Sequence, residues 1–358
     1  MKKPVVTFAG WGNYTLAFKT LLEDLGLDVI PPQKTNSKTM AEGAKISPEM
    51  FCFPLKATIG NYLPALRKGA DTVFMVQNVG GSCRQRYYGR VQKKILKEEG
   101  WDIKFIDLKL NPRELYNQIK EVSGASFSEI ARAGKVFFQK LWIIEGMERK
   151  AQYLRPREKE SGKTDRTLHH LFLKLAEVRK SEGVAGFKKE LKKTYSGIEI
   201  EEDKKVPKVG IIGEIYTVSD PHINFGVERK LGIEGVEVHR EMDVTYHIKK
   251  IIFPWKDWTI QRKINSYLKS TVGGHGRDAI YEMLDYAKND FDGVVHLLPF
   301  GCMPEVTVRP ILEKIHKEKK IPFLSLSLDE EVAEAGINTR IEAFVDVVMN
   351  HFKKNKQI

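Results

Sequence analysis

Twice along this chain, short apolar runs alternate with amphipathic stretches, and a long strandless interval separates the two series. Strand followed by helix, repeated, is the pattern of a parallel sheet, because parallel strands need a crossover between them. The first series starts with a run at residues 5–9. It continues through NYTLAFKTLLEDLG, LDVIPP, a helix entered at Ser47 and Pro48 and stopped by Gly69, ADTVFMVQ, YYGRVQKKILKEEG and DIKFIDLKL. In its first helix Leu16, Thr20, Leu21 and Leu25 share one face, and Gly26 ends it. The second series holds KVGIIG, FGVERKLGIEGVEVHRE, GRDAIYEMLDYAKN, DGVVHLLPFGC, PEVTVRPILEKIHKEKK, IPFLSLSLD and RIEAFVDVVMNHFKKN. Between them FSEIARAGKVFFQKLWIIEGMERKAQYL and TLHHLFLKLAEVRKSEGVAGFKKELKKTY read as helix throughout, and residues 201–208 as a polar linker. The expected fold is α/β: two Rossmann-like parallel-sheet lobes with a helical insert between them. The first lobe is expected over residues 1–123, the helical insert or bridge over 124–204 and the second lobe over 205–358.

A chain of 358 residues with 42% hydrophobic and 30% charged residues has enough apolar side chains for a core in each lobe. No apolar run reaches the ~18–20 residues that span a bilayer. The start MKKPVVTFAG reads as a strand rather than a signal peptide, so a cytoplasmic protein without a membrane segment is expected. The net charge is +12. Its lysines lie beside glutamates in helical stretches, without a tract that interleaves basic and aromatic residues, so nucleic acid is not an expected partner.

The three cysteines, Cys52, Cys83 and Cys302, include no C-x-x-C pair, which removes zinc-ribbon and thioredoxin-type motifs. Their contexts are more telling than their number. ADTVFMVQNVGGSC leads into Cys83 and FDGVVHLLPFGC into Cys302. Each has an aspartate, a buried strand and a glycine turn before the thiol. Ligands of open parallel sheets bind at the carboxyl ends of strands. Cys52 lies in a loop bracketed by Pro48 and Pro54. Two thiols from one lobe and one from the other are enough for a shared metal centre with one open position, and too few for a closed four-cysteine site. Inert buried cysteines are the competing reading.

The stretches CFPLKATIGNY, GGSCRQRYYGRVQKKIL, GEIY, DGVVHLLPFGCMPE and SLDEEVAEAGINTRIEAFVD resemble the 2-hydroxyacyl-CoA dehydratase family, in its activase-associated, D-component-like branch. They cover both lobes and leave out the helical middle; FGCMPE is the sharpest of them. The resemblance implies a 4Fe–4S cluster held by Cys52, Cys83 and Cys302, reduced by a separate ATP-hydrolysing activator protein. The chain has no G-x-x-x-x-G-K-S/T phosphate loop of its own. For a dehydratase the resemblance implies a CoA thioester substrate, a ketyl radical and loss of water, in a low-oxygen setting. A homodimer or a related second subunit is the implied assembly.

Other residues stand near these motifs. Lys56, four residues after Cys52, would neutralise a cluster or a substrate anion, or else lie along the surface. Arg84 and Arg86 follow Cys83 and add positive charge. Glu305 would cap the next helix through its carboxylate or act as a base. Glu214 ends a strand, and His275 in GGHGRD is a candidate proton donor or a structural histidine. The AGWGN turn at residues 9–13 would offer backbone N–H groups to an anion or be only a tight turn. The His169–His170 doublet on a helical run carries no assignment. Two further functions remain open on the sequence. One is a two-lobed binding protein for a small anion; the other is an electron-transfer adaptor without a substrate of its own.

Overall fold

A computed structural model describes residues 3–77, 83–109, 111–253 and 255–356. The glycines and serine of GGSC before Cys83 lie outside the described residues. The first sheet comprises β1 (Val5–Phe8), β2 (Asp28–Val29), β3 (Thr72–Gln77) and β4 (Lys104–Lys109), in the order β2-β1-β3-β4 with every pairing parallel. The second comprises β5 (Lys208–Gly213), β6 (Glu237–Arg240), β7 (Gly293–Pro299) and β8 (Phe323–Leu328), in the equivalent order β6-β5-β7-β8, again all parallel. The doubled alternation thus yields two parallel sheets of one topology. In each, the chain leaves the first strand toward one edge and returns to the other, so each has a switch point between its two central strands.

Five helices accompany the first sheet: α1 (Thr15–Asp24), α2 (Ser37–Ile46), α3 (Phe53–Arg67), α4 (Tyr88–Glu98) and α5 (Pro112–Ser123). The buried face of α1 is Ala17, Thr20 and Leu22; of the face expected, Thr20 and Leu25 are buried, while Leu16 and Leu21 are half-buried. Thr20 is drawn inward because its hydroxyl accepts a hydrogen bond from the buried Lys140 Nζ at 2.8 Å. The sequence pattern missed α2. Asn36 and Thr39 start it with a reciprocal capping box, so side-chain hydrogen bonds rather than apolar periodicity define it. It packs on α3 with Gly43 and Gly60 at the crossing. A Cβ at Gly60 would stand 1.8 Å from the Thr39 carbonyl oxygen, so only glycine permits this approach.

The middle of the chain is helical: α6 (Phe127–Leu154), α7 (Lys163–Glu177) and α8 (Lys180–Ser196). The long α6 touches both lobes. Glu148 in α6 accepts hydrogen bonds from Asn13 Nδ2 (2.8 Å) and Tyr14 Oη (3.3 Å) in the first lobe and pairs with Arg240 of β6 at 2.5 Å. Around the second sheet lie α9 (Ile215–Ser219), α10 (Val227–Ile233), α11 (Val244–Ile252), α12 (Trp255–Ile264), α13 (Gly276–Lys288), α14 (Met303–Lys319) and α15 (Glu334–Lys356). Ile280 and Met283 of α13 are fully buried with Val308 and Leu312 of α14 in the core on one face of this sheet. Among the described residues no helix is long and apolar enough to cross a membrane.

Candidate functional site between the lobes

Each cysteine is the residue immediately before a helical turn. Cys52 is the N-cap of α3, Cys302 the N-cap of α14, and Cys83 precedes a 3-10 turn at Arg84–Tyr87. Proline at the first or second position of both α3 and α14 fixes the backbone entry without needing the missing N–H. None of the three thiols is in a disulfide; Cys52 and Cys302 are buried and Cys83 is half-buried.

Arg84 draws the three segments together. Its guanidinium donates to the carbonyl of Met50, two residues before Cys52, at 2.8 Å. It also donates to the carbonyl of Gly301, the residue before Cys302. One side chain, adjacent to Cys83, thereby holds the approaches to the other two cysteines. The Phe53 N–H donates to the Phe300 carbonyl at 3.3 Å, a second direct tie between the lobes. Gly301 turns the chain with φ +74°, and a Cβ there would lie 3.5 Å from the Cys52 Cα and 3.3 Å from the Arg84 guanidinium. Gly274 completes the enclosure: its Cβ position stands 2.9 Å from Pro304 and 3.8 Å from the Cys83 Cβ.

Burial raises the pKa of all three thiols. For Cys52 the Tyr88 hydroxyl, 2.8 Å from Sγ, offsets part of the burial effect. Cys83 is pushed up to about 11. Cys302 is raised further, by burial and then by the carboxylates of Glu305 and Glu214. Without a metal these groups therefore remain thiols at neutral pH, and a bound metal would have to displace their protons. Among the described residues no three His, Cys, Asp or Glu side chains are grouped to hold a single metal ion. An iron–sulfur cube makes a different demand, since each thiolate binds its own iron and the sulfurs stand apart. Three soft donors on three convergent loops, without a cation paired to any thiol among the described residues, fit that demand.

The structure separates the charged candidates by role. Lys56 is only 4% exposed and its Nζ pairs with Glu330 of the other lobe, so it is not a surface lysine. Glu305 is fully buried in the first turn of α14; its Oε2 meets His296 Nε2 at 2.9 Å, and His296 Nδ1 meets Ser325 Oγ across the β7–β8 register at 3.2 Å. Glu305 Oε1 has no partner among the described residues. Glu214 caps α9, accepting from the Thr217 N–H and hydroxyl, both at 3.0 Å. His275 is buried at the start of α13, and its Nε2 has no partner among the described residues. Burial, then His247 and Lys250, hold its pKa well below the usual imidazole value. In the AGWGN turn the Trp11 N–H donates to the Thr15 hydroxyl at 3.0 Å, and the Trp11, Gly12 and Asn13 carbonyls accept from the Tyr14, Thr15 and Leu16 N–H groups. His169 and His170 are exposed. His296, Tyr88 and Glu330 lie inside the quoted motifs but had no assigned role. The only signal for His296 was its position on an otherwise apolar strand, nine residues before Glu305.

Burial, reinforced by the charge of Glu305 and opposed by the Thr217 and Tyr216 hydrogen bonds, pushes Glu214 up to about 7. The folded protein then keeps a proton that the unfolded chain has released, so stability falls as pH rises from the ordinary carboxylate range toward about 7. Glu214→Gln keeps an acceptor for the cap and has no proton to lose. Its thermal midpoint is expected to fall less than that of the wild type between about pH 5 and about pH 8. Parallel profiles would contradict this assignment.

The rim of the site is apolar and open. Met50, Tyr87, Phe300, Met303 and Val306 are 74%, 47%, 49%, 52% and 51% exposed. A family model described as the CoA enzyme activase uncharacterised domain matches residues 10–243, taking in Cys52, Cys83 and the helical middle. A second, described as 2-hydroxyglutaryl-CoA dehydratase, D-component, matches residues 265–348, taking in His275 and Cys302. No curated protein matches the chain. With well over half of its length under the first model and its third cysteine under the second, the chain belongs to the CoA enzyme activase uncharacterised domain family, among the 2-hydroxyacyl-CoA dehydratase-like proteins.

Proposed function

We propose that this protein is an iron–sulfur protein of the 2-hydroxyacyl-CoA dehydratase type, with Cys52, Cys83 and Cys302 as the protein ligands of one 4Fe–4S cluster. The observation that carries the reading is the Arg84 tie, which gathers the three cysteine-bearing segments from two lobes. When bound, such a cluster supplies a low-potential electron and an iron with no protein ligand, open to a small molecule. The chain's own part is to place three thiolates and shield them from water. Arg84 also puts a positive charge near Cys52, which favours its ionised form. Glu305, fixed by His296 and with one oxygen free, is the residue best placed to accept a proton near Cys302. His275, neutral and buried, lies next to Gly274 at Cys83 and is a second candidate for proton transfer.

An ATP-hydrolysing activator is the proposed electron donor, and the exposed apolar rim is a surface that a protein partner would cover. The substrate in this reading is a CoA thioester or another small molecule, and the chemistry a dehydration or a reduction. An oxygen-sensitive centre of this kind would work in an anaerobic, cytoplasmic setting. The test is anaerobic reduction of the iron-loaded protein by an activator of this family, followed by visible and electron-paramagnetic spectra. ATP-dependent bleaching is expected. Bleaching by the same donor at the same rate without ATP would remove the activator from the account.

A further inference from the structure

The carboxyl end of β1 opens on a small polar cavity between the lobes, away from the cysteines. Gly10, Thr35, Asn61 and Asp220 form its inner part, and the exposed Lys34 and His222 its edge. Asn61 is nine residues beyond Cys52 on α3, about 13 Å further along the helix. Thr35, Asn61 and Asp220 are 2%, 2% and 5% exposed. They form one chain of hydrogen bonds. The Thr35 hydroxyl donates to Asp220 Oδ2 at 2.6 Å, so its oxygen is left to accept, and Asn61 Nδ2 donates to it at 3.0 Å. That order fixes the orientation of the Asn61 amide. Asn61 Oδ1 is therefore a buried acceptor, and it has no partner among the described residues. Among the described residues the other Asp220 oxygen accepts only the His222 backbone N–H, at 2.9 Å. Among the described residues no cationic side chain pairs with this nearly buried carboxylate.

A buried carboxylate without a counter-charge beside an unpartnered amide oxygen is an arrangement proteins ordinarily avoid. Both groups line the same cavity; the carboxylate calls for a positive charge and the amide oxygen for a hydrogen-bond donor. A hard metal cation takes about six or more oxygen ligands. An ammonium group has only three N–H donors, which suits two free acceptors better. We propose that this cavity binds the protonated amino group of a small molecule, held by the Asp220 carboxylate and Asn61 Oδ1. Thr35 and Asn61 belong to the first lobe and Asp220 to the second, so the ligand ties the lobes together. The sequence suggested an anion at this turn; the groups that the cavity presents are of the opposite sign.

The experiment is a thermal-unfolding titration of the full-length protein with ethylammonium chloride, tetramethylammonium chloride and potassium chloride at equal ionic strength. A saturable rise in the midpoint with ethylammonium alone is expected. Asp220→Asn, which keeps an acceptor for the His222 N–H, is expected to weaken that binding by about tenfold or more. Gly10→Ala provides an independent variant at a backbone that tolerates it. Its added Cβ would stand 2.8 Å from Asn61 Nδ2 and force the amide away from its place beside Thr35, so binding should be lost while the fold persists. An equal response to all three salts, no saturable response at all, or binding unchanged in either folded variant would overturn the proposal.

Discussion

A Cys302→Ser protein is expected to stay folded and to lose iron by on the order of tenfold or more in affinity, because changes outside the ligand shell alone cost that much. The fold should hold for a local reason. Cys302 is the N-cap of α14 and its side chain makes no capping hydrogen bond. Serine is smaller, nearly the same shape and one of the preferred N-cap residues, so the helix keeps or improves its start. The loss therefore separates chemistry from folding. Iron content and visible absorbance measured beside the thermal midpoint would test it. An unchanged spectrum in a folded variant would remove Cys302 from the ligand set. Cys52→Ser is a less clean probe, since it also breaks the contact between Sγ and the Tyr88 hydroxyl. Because burial keeps the free thiols protonated, reconstitution with iron and sulfide should also release protons and proceed further as pH rises.

The second large effect is expected at Arg240. Its guanidinium, 7% exposed, meets Glu148 at 2.5 Å, Glu228 at 3.3 Å and the Val218 carbonyl at 3.1 Å. Arg240→Leu leaves the buried Glu148 without its counter-charge, a change that costs about 3–5 kcal/mol when one partner of a buried pair is removed. Burial already raises the Glu148 pKa in the intact protein, with Arg240 opposing it. In the variant Glu148 must rise further and take up a proton. The deficit should therefore be largest at neutral pH and shrink toward acid. Adding Glu148→Leu should restore part of the stability, because the desolvated charge is then gone. Denaturant unfolding of the two proteins at two pH values decides the matter. A loss below ~1 kcal/mol at neutral pH, or a loss independent of pH, would contradict the account.

What could be read from the sequence followed from how local each signal is. The repeated strand–turn–cysteine motif needs only residues close in the chain, so two parallel sheets with thiols at strand ends were legible. Elements set by side-chain hydrogen bonds were not. The capping box of Asn36 and Thr39 starts α2, and its sequence SKTMAEGAKI carries little apolar periodicity. Thr20 was expected on the inner face, but its partner there, Lys140, is 120 residues away. Within the candidate site, the presence of Arg84 was legible and its task was not. Its two acceptors, the Met50 and Gly301 carbonyls, are 34 and 217 residues distant. Lys56 is similar: four residues after Cys52 it looked free to face a cluster, and only the folded chain brings Glu330 to it. Asn61 lies in the CFPLKATIGNY stretch without an assigned role and Asp220 in none of the quoted stretches, and their pairing through Thr35 exists only once the two lobes meet.

The most direct test of the central claim is anaerobic iron and acid-labile sulfide analysis of the wild-type protein, with its visible spectrum. About four irons and four sulfides per chain and a broad brown absorbance are predicted. A colourless protein, free of iron after careful reconstitution, would contradict the claim and leave the three cysteines as buried thiols at a junction of two lobes.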